Sequence, residues 1–478
     1  MNRFFRNREL NSSLYIFLYV IIIYLSSELP FFWDNVLLSS RYAQHFYENG
    51  YSTLILPSAL DAGHPPFYGL YLAIVWKIFG KSLVSSHWAI FPFVVGIVFA
   101  FSGICKKVIG NTSFLIFVLF ILVAEPSLLS QIAFAGIDIA LLSITLLCVY
   151  SLFSGKVKWL YFLLPILSML SLRGIILSIG IGFCHFLFFN SNRFGVKRAA
   201  SVLPFYLPLI ILLMVWFSYH FYHTGFVTDN YMNNNWSEQY RMVTFKEFGK
   251  NMLVVVWRMV DQGRIFIWIP LFVFLGRVFI KKTTITKEQY LLWGTICILF
   301  FLLLPFLVFR NTPILHRYFL IIYLLSGILL FSFVSGIKSR ILKTTLTVSV
   351  FAGLLSGHLW IYPFPIANGW DSTLAALPYF KAKEQVNNFI EQSSISPDRV
   401  TSAFPMLAGK KYTHLNEFNG FQFINKSKRA VKNSEFVLYS NVSNDFTLFE
   451  KEMLSKDFIK IKSFDSKPIV LELYQHKN

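Results

Sequence analysis

Two aspartates stand at the ends of apolar segments, where a charged side chain indicates chemistry. Asp34 follows the first apolar run by a few residues, and Asp138 stands where a polar segment leads into another apolar run. A carboxylate at a membrane surface can accept a proton, and one at membrane depth is costly enough to indicate a function. Both residues also fit a structural role as N-caps of the helices that follow. The residues alone leave both interpretations open.

The segment DAGHPP at 61–66 is a second group of interest. Proline suits the first turn of a helix, so Pro65 and Pro66 predict that a helix starts here and that His64 faces the preceding loop. Asp61 and His64 are therefore candidate binding residues, although a turn with incidental polar side chains is the alternative.

Cations stand at the ends of other apolar runs. They are Arg173 and the consecutive pair His316-Arg317. Such side chains either extend towards lipid headgroups or bind a phosphate group, for which the planar guanidinium is well suited.

The elements that must position these residues follow from the composition. The chain has 478 residues, of which 55% are hydrophobic and only 14% are charged. Soluble domains are about 25% charged, so the composition excludes an ordinary cytosolic enzyme and a disordered chain. It predicts a polytopic α-helical membrane protein. The 4 cysteines lack a Cys-x-x-Cys spacing, which predicts neither a zinc site nor a disulfide framework.

Apolar runs of roughly 17–25 residues predict transmembrane helices. We expect about eleven spans, at residues 12–29, 83–104, 112–125, 137–153, 158–172, 173–189, 202–223, 265–280, 289–309, 318–335 and 343–363. A tight turn at Arg173-Gly174 would divide 158–189 into two short helices, and one long kinked helix is the alternative. No cleavage site of a signal peptide follows the first apolar run, so we interpret that run as a spanning helix.

The distribution of Lys and Arg predicts the orientation of these spans. Segment 66–80 is short and contains Lys77, and we interpret it as a helix that lies in the membrane interface. The basic loops then fall on one side, which the positive-inside rule assigns to the cytoplasm together with the N-terminus. These loops are residues 1–11, 105–111, 154–158, 190–200, 277–287 and 336–343. The net charge of +19 is therefore a signal of topology and does not indicate a nucleic-acid partner.

The C-terminal part of the chain has a different composition. In residues 364–478 charges are frequent and apolar runs shorten to strand length. Residues 381–392 have a helical pattern, while 435–440 and 468–474 are typical of strands. We therefore predict a transmembrane domain at 1–363 and a small soluble α/β domain after it, on the outer, periplasmic face.

This topology assigns the candidate residues to the outer face, opposite the basic loops. Carboxylates and cations on that face suit a reaction between a phosphorylated lipid and an acceptor outside the membrane. The sequence has no clustered His, Asp and Glu spacing that would indicate a metal site.

The sequence resembles the GT-C glycosyltransferases, most closely the branch with protein O-mannosyltransferases and the aminoarabinose transferases that act on lipid A. The resemblance is carried by Asp34, His64-Pro65-Pro66, Asp138, His316-Arg317-Tyr318 and Trp370-Asp371-Ser372-Thr373-Leu374. The sequence departs from the family at two positions. Asn35 replaces the second acid that the family often has in the first loop, and His64 stands where the aminoarabinose transferases have Lys. The subclass and the acceptor therefore stay open.

The resemblance implies a GT-C-like fold with interfacial helices in the first outer loop. It also implies an inverting transfer of a sugar from a polyprenyl-phosphate donor to a hydroxyl acceptor. Asp34 would be the base and Asp138 a second catalytic carboxylate. The other candidates would bind the donor phosphate and sugar, with Arg317 foremost; they are Asp61, His64, Arg173, His316, Arg317 and Tyr318. No cofactor is expected, although some relatives use a divalent cation.

The expected partners are a polyprenyl-phosphate-linked sugar, membrane lipid, and a protein, lipid A or glycan acceptor, in the bacterial inner membrane. Two alternative functions remain. One is a transporter or flippase for lipid-linked sugars, and the other is a glycan polymerase or ligase that would use the outer loop at 224–264. Convergence of Asp34, His64, Asp138 and Arg317 in one cavity would favour the transferase.

Overall fold

A computed structural model describes most of the chain. The described residues are 10–110, 112–189, 195–228, 241–281, 284–363, 366–416, 422–442 and 445–477. Parts of the basic loops 1–11, 190–200 and 277–287 lie outside these residues, as does the run Asn233-Asn234-Asn235-Trp236 of the outer loop at 224–264.

Helices make up most of the described chain. In the first half they are Leu10–Ser26, Arg41–Asn49, Phe67–Phe79, Leu83–Trp88, Phe91–Ile109, Thr112–Leu119, Ile121–Ala124, Pro126–Ala133, Ile137–Ser154, Leu160–Leu170, Leu172–Cys184, Gly195–Val202 and Leu207–Thr224. In the second half they are Phe245–Val260, Ile265–Lys281, Lys287–Val308, Leu320–Ser335, Arg340–Ser356, Pro378–Gln392, Lys410–Thr413 and Leu448–Asp457. Every predicted span overlaps one of these helices.

Length separates the helices that can cross a membrane from those that are shorter. Among the described residues, 6 helices are long and apolar enough to span. They are Leu83–Ile109, Ile137–Ser154, Leu172–Phe189, Gly195–Thr224, Lys287–Val308 and His316–Ser335. Two bent pairs raise the number to 8, namely Phe114–Ala124 with Pro126–Ala133 at 58° and Phe245–Val260 with Ile265–Ile280 at 94°. The remaining predicted spans correspond to helices of fewer than 18 residues, so the count of eleven is not confirmed.

The break within 158–189 lies two residues before the predicted turn. Ser171 is extended, with φ −172° and ψ 167°, and its hydroxyl accepts a hydrogen bond from the N–H of Gly174 at 3.2 Å. Serine is a preferred N-cap because it satisfies such an orphan donor. Two helices therefore meet at Ser171 and pack against each other, and Arg173 lies in the first turn of the second helix.

A close contact between two long helices positions the helix that carries Asp138. A Cβ atom on Gly103 would lie 2.3 Å from the ring of Tyr150, so a larger residue would force that ring to move. Small residues let transmembrane helices approach closely. Helix Ile137–Ser154, which carries Asp138 in its first turn, is thereby held against Phe91–Ile109.

The C-terminal part folds into a mixed sheet covered by a helix. The strands are β1 (Val400–Ser402), β2 (Ile424–Asn425), β3 (Phe436–Ser440), β4 (Phe458–Ser466) and β5 (Ile469–His476). Their order is β2-β1-β3-β5-β4, with β1 parallel to both neighbours and β5 antiparallel to β3 and β4. The predicted helix at 381–392 corresponds to Pro378–Gln392, which packs on β4 and β5.

The C-terminal part shares a hydrophobic core with the segments that contain Phe32 and Phe134. Phe32 packs its ring 5.1 Å from Tyr379 and 5.4 Å from Phe134, measured between centroids. Residues 364 and 365, at the predicted domain boundary, lie outside the described residues. Residues Trp370–Ser372 pack back against helix Pro126–Ala133, so the two parts meet over a continuous interface.

Glu125 and Arg264 form a fully buried ion pair between two bends of the chain. Nε of Arg264 lies 2.7 Å from Oε1 of Glu125, and the guanidinium lies 4.0 Å from the ring centre of Tyr323. The Glu125 carboxylate also caps helix Pro126–Ala133 by accepting from the N–H of Leu128. The pair therefore joins the bend at 261–264 to the bend at 125.

We expect Arg264→Met to lower the free energy of unfolding by about 3–5 kcal/mol, because it leaves the Glu125 carboxylate buried without its cation. Thermal unfolding of the purified protein in detergent measures the change. The double variant Glu125→Gln/Arg264→Met should regain part of the loss. The control is Arg399→Met, which removes an exposed pair with Glu435 and should change the stability far less. Equal effects of the two single variants would contradict this role.

Candidate active site

A tight turn and packing against the C-terminal part position Asp34. Trp33 has a left-handed backbone with φ 57°, which is uncommon for a residue other than glycine. Its ring packs edge-on against Phe404 at 4.7 Å, and the side-chain amide of Asn35 donates to the carbonyl of Phe134 at 3.0 Å. The helical segment that follows ends at Gly50. The Asp34 carboxylate contacts the guanidinium of Arg317.

The second predicted carboxylate, Asp138, is also turned towards cations. Gly136 occupies the N-cap position of helix Ile137–Ser154, so Asp138 lies inside the first turn. Its Oδ1 accepts from Nη1 of Arg173 at 2.5 Å, and its Oδ2 forms an ion pair with Nε of Arg317 at 2.9 Å. The N-cap explanation for Asp138 is therefore wrong.

Arg317 is the centre of this charge cluster. Its guanidinium contacts Asp34 through Nη2, Asp138 through Nε and Asp371 through Nη1. The Arg317 side chain is 4% exposed and Asp138 and Asp371 are equally buried, whereas the Asp34 side chain is 27% exposed. Asp34 is thus the carboxylate of the cluster that an external group can reach.

Arg173 and Tyr318 complete the cluster. The Arg173 guanidinium lies 4.1 Å from the ring centre of Tyr318, and that of Arg317 lies 5.5 Å from it. An aromatic face beside a guanidinium stabilises its charge in a buried site. Two guanidiniums therefore face three carboxylates around a single aromatic ring.

A cavity adjoins the cluster and receives His64. It is lined by Leu38, Tyr42, His64, Pro65, Tyr68, Ile137, Asp138, Leu141, Leu170, Ser171 and Arg173. The N–H of Leu172 donates to Nδ1 of His64 at 3.4 Å, which assigns the ring proton to Nε2. Burial, together with the nearby Arg173, lowers the pKa of His64 to about 4, so the ring is neutral near pH 7.

Asp61 and His316 lie in other networks. Oδ2 of Asp61 lies 2.8 Å from Nε2 of His220, and Oδ1 accepts from the N–H of Gly63 at 2.7 Å. Gly63 has φ +70° and packs against the carbonyl of Thr228 so closely that no Cβ fits. Asp61 therefore braces the turn that presents His64.

His316 pairs with a carboxylate that the sequence interpretation did not select. Its Nε2 lies 2.7 Å from Oδ2 of Asp261, and Nη1 of Arg258 lies 3.3 Å from the same oxygen. Tyr362 donates its hydroxyl to the other oxygen of Asp261. Burial alone would raise the pKa of Asp261, but the hydrogen bonds from His316 and Tyr362 and the nearby Arg258 lower it to about 2. His316 thus anchors the sharp bend at 261–264.

Sequence reasoning missed Asp371 although it quoted the motif that contains it. The carbonyl of Asp371 accepts from Nε2 of Gln131 at 2.7 Å and from Oγ of Ser130 at 3.1 Å. These bonds hold Trp370–Ser372 against helix Pro126–Ala133 and bring the Asp371 carboxylate to Arg317. The motif was the available signal, but nothing in its composition showed that it folds back onto the membrane domain.

The described residues contain no group of three or more His, Cys, Asp or Glu that could hold a metal ion. Asp34, Asp138 and Asp371 converge, but their common partner is the guanidinium of Arg317. A divalent cation at this cluster would compete with that guanidinium. The predicted use of no metal, with a divalent cation as the alternative, stays a prediction.

Comparison with known proteins identifies the fold. No protein-family model and no curated protein matches the chain. Two crystal structures match over almost the whole length: ArnT from Cupriavidus metallidurans bound to undecaprenyl phosphate, and the same protein in the apo state. The alignment with each structure has a TM-score of 0.51 at 11% sequence identity, and it covers 96% of this chain and 97% of the ArnT chain. The chain therefore has a GT-C glycosyltransferase fold, as the sequence resemblance predicted.

The charge cluster predicts different stability effects for its two catalytic candidates. Asp138→Asn should lower the free energy of unfolding by about 1.5–3 kcal/mol, because it removes a buried charge that pairs with both Arg173 and Arg317. Asp34→Asn should cost about 1 kcal/mol or less, because Asp34 is partly exposed and Arg317 keeps two carboxylates. Thermal unfolding of both variants in the same detergent measures the difference. Equal losses would contradict the central position of Asp138.

Proposed function

We propose that this protein is an inverting glycosyltransferase that moves a sugar from a polyprenyl-phosphate donor to a hydroxyl acceptor at the outer face of the membrane. One observation carries the proposal. Asp34, Asp138, Arg173 and Arg317, which are far apart in the sequence, form one ion cluster, and His64 lies in the adjoining cavity. The shared fold with ArnT, whose crystal structure holds undecaprenyl phosphate, supports a lipid-linked donor.

Asp34 is the proposed base. Within the described part of the chain only its Oδ2 has a hydrogen-bond or ion-pair partner, which leaves Oδ1 for the acceptor hydroxyl. The hydroxyl oxygen attacks the anomeric carbon as its proton passes to Asp34. The bond from that carbon to the phosphate oxygen breaks, and its electron pair stays on the lipid phosphate. Attack on the face opposite the leaving group inverts the anomeric centre.

Arg173 and His64 are the proposed partners of the departing phosphate. Both line the cavity, and Nε2–H of a neutral His64 is a donor that can turn to an anion. Arg173 has one carboxylate partner, Asp138, so its guanidinium keeps donors for a phosphate. The sequence interpretation gave this role first to Arg317. We assign Arg317 instead to positioning Asp34, because three carboxylates engage its guanidinium.

We place the protein in the bacterial inner membrane, with the N-terminus in the cytoplasm and residues 364–478 in the periplasm.

We assign Tyr318 to stabilising the two guanidiniums and Asp61 to holding the turn that contains His64. The transporter and polymerase alternatives do not require these residues to converge. Mass spectrometry of the lipid-linked sugar that copurifies with the protein would identify the donor.

Asp34→Asn should lower sugar transfer by at least about 100-fold, because the acceptor hydroxyl loses its base. Transfer is measured in membranes supplied with the radiolabelled polyprenyl-phosphate sugar that copurifies with the protein. Asp398→Asn changes an exposed carboxylate in the C-terminal part and is the matched control. Near wild-type transfer by a folded Asp34→Asn protein would exclude Asp34 as the base.

Substitutions of Arg173 and of Arg317 should affect different kinetic parameters, the donor KM in the first case and kcat in the second. Arg173→Gln should raise the KM for the donor by about 10- to 100-fold, since a charged hydrogen bond to phosphate is lost. Arg317→Lys keeps the charge but not the fork that contacts three carboxylates, so it should mainly lower kcat. Initial rates over a range of donor concentrations measure both. An unchanged donor KM for Arg173→Gln, or an unchanged kcat for Arg317→Lys, would contradict the respective role.

A further inference from the structure

A second cavity lies between the first outer loop and the C-terminal part. It is small and is lined by Pro30, Phe31, Tyr379, Phe380, Lys383, Glu384 and His414. The aromatic rings give it apolar walls, and Lys383 brings a cation into it. The proposed transfer reaction makes no use of this cavity.

Lys383 is buried without a compensating charge. Its side chain belongs to a residue that is 8% exposed, and the described residues offer it neither a carboxylate nor a hydrogen-bond partner. Its closest charge-stabilising contact is the ring of Tyr379, with Nζ 5.8 Å from the centroid. An ammonium group is seldom buried unless it is paired. The neighbouring lysines follow that rule, since Lys410 pairs with Glu391 and Lys411 pairs with Glu48.

The other polar groups of the cavity form no ion pair with Lys383 among the described residues. Glu384 also lines the cavity, but it is exposed, and no ion pair or hydrogen bond joins its carboxylate to Lys383 in the described part of the chain. Nδ1 of His414 lies 2.8 Å from the hydroxyl of Thr413. Burial, with Lys383 and Lys410 nearby, lowers the pKa of His414 to about 4, so its ring is neutral near pH 7. Lys383 is therefore the buried cation of the cavity lining, and Glu384 lies at the exposed rim.

The cavity is joined directly to the segment that carries Asp34. The N–H of Phe31 donates to the carbonyl of Thr413 at 2.8 Å, next to His414. Phe32 follows and packs against Tyr379, one turn before Lys383 on the same helix. Asp34 is two residues further along the chain. A molecule in the cavity thus lies against the loop that presents the proposed base.

We propose that this cavity binds an anionic group, a phosphate or a carboxylate, carried by the acceptor whose hydroxyl reacts at Asp34. This inference rests on the proposed transferase function and adds the chemical class of the acceptor. Lys383 supplies the charge that the anion requires, while Phe31, Tyr379 and Phe380 contact the less polar part of the molecule. Glu384 at the rim disfavours an anion that approaches without such apolar contacts.

The protonation of Lys383 gives a direct measurement of occupancy. Burial lowers the pKa of Lys383 to about 8, so a large share of its amines is neutral and reactive near pH 8. A bound anion favours the ammonium form and raises that pKa. Amine-selective labelling at Lys383 should therefore slow when an anion binds. Lys381 lies on the same helix but is exposed, and it serves as the internal control.

The binding experiment uses the full chain in phosphatidylcholine nanodiscs at pH 8, with inorganic phosphate, acetate or chloride at matched ionic strength. Mass spectrometry follows labelling of Lys383 and Lys381. We expect phosphate or acetate to slow labelling of Lys383 at least threefold relative to chloride, with Lys381 unchanged. No slowing, or equal slowing of both lysines, would overturn the anion site. This measurement needs no variant and does not depend on transfer activity.

The kinetic experiment connects the cavity to the acceptor. Inorganic phosphate should inhibit transfer by the wild-type protein in competition with the acceptor of the membranes. Lys383→Met should lower transfer at least tenfold at unchanged donor KM and lose this inhibition, while Lys383→Arg should retain both. Lys381→Met is the matched control. Equal inhibition of the wild-type protein and Lys383→Met would overturn the role of the cavity in acceptor binding.

The failures of the two proposals can be distinguished. If phosphate protects Lys383 but no transfer occurs with the copurifying lipid-linked sugar, the transferase proposal fails and the anion site stands without its acceptor. If transfer occurs but Lys383 is not protected, the inference about the cavity fails and the transferase proposal stands.

A third arm of the binding experiment uses nanodiscs with phosphatidylglycerol. Protection by that lipid, together with unchanged transfer by Lys383→Met, would assign the site to a lipid headgroup and overturn the acceptor assignment.

Discussion

The contact of one guanidinium with three carboxylates is the interaction on which this site depends. Arg317 stands at the start of the apolar helix His316–Ser335. Its partners come from three other segments: Asp34 follows helix Leu10–Ser26, Asp138 lies in the first turn of Ile137–Ser154, and Asp371 follows Arg340–Ser356. Three carboxylates this close repel one another strongly unless a cation lies between them. The cluster is therefore stable only when all four segments are in place, and it couples the helical part to the C-terminal part.

Around this cluster, other buried ion pairs hold the loops in position. Asp61 with His220, Asp261 with His316, and Glu125 with Arg264 each join a bend of the chain to a neighbouring element. Asp61 and His316 are candidate binding residues in the sequence. In the structure the side chain of each already pairs with a buried protein group. A charged residue in a buried position can therefore have a structural role as well as a catalytic one.

The C-terminal part contributes to the site as well as adjoining it. Asp371 reaches Arg317, Phe404 packs on Trp33, and Tyr379 packs on Phe32 beside the Asp34 loop. The predicted division at residue 363 separates two compositions, yet the interface between the two parts is built from buried aromatic rings. Residues 364–478, whose composition is that of a soluble domain, can therefore set the geometry of the Asp34 carboxylate. The buried Lys383 lies at this same interface.

The sequence by itself determined the helical membrane class, the approximate positions of the apolar helices, the C-terminal α/β pattern and four members of the charge cluster. These features are local, because hydrophobic run length and period report on a single element. Tertiary structure alone decided that Asp371 joins the cluster, that Asp61 and His316 pair elsewhere, and that Arg173 rather than Arg317 lines the cavity. Such pairings join residues that are between 54 and 159 positions apart in the sequence, and a side chain has no preference for a partner until packing brings one within a few ångströms. The charged residues are therefore visible in the sequence, whereas their pairing depends on the tertiary structure.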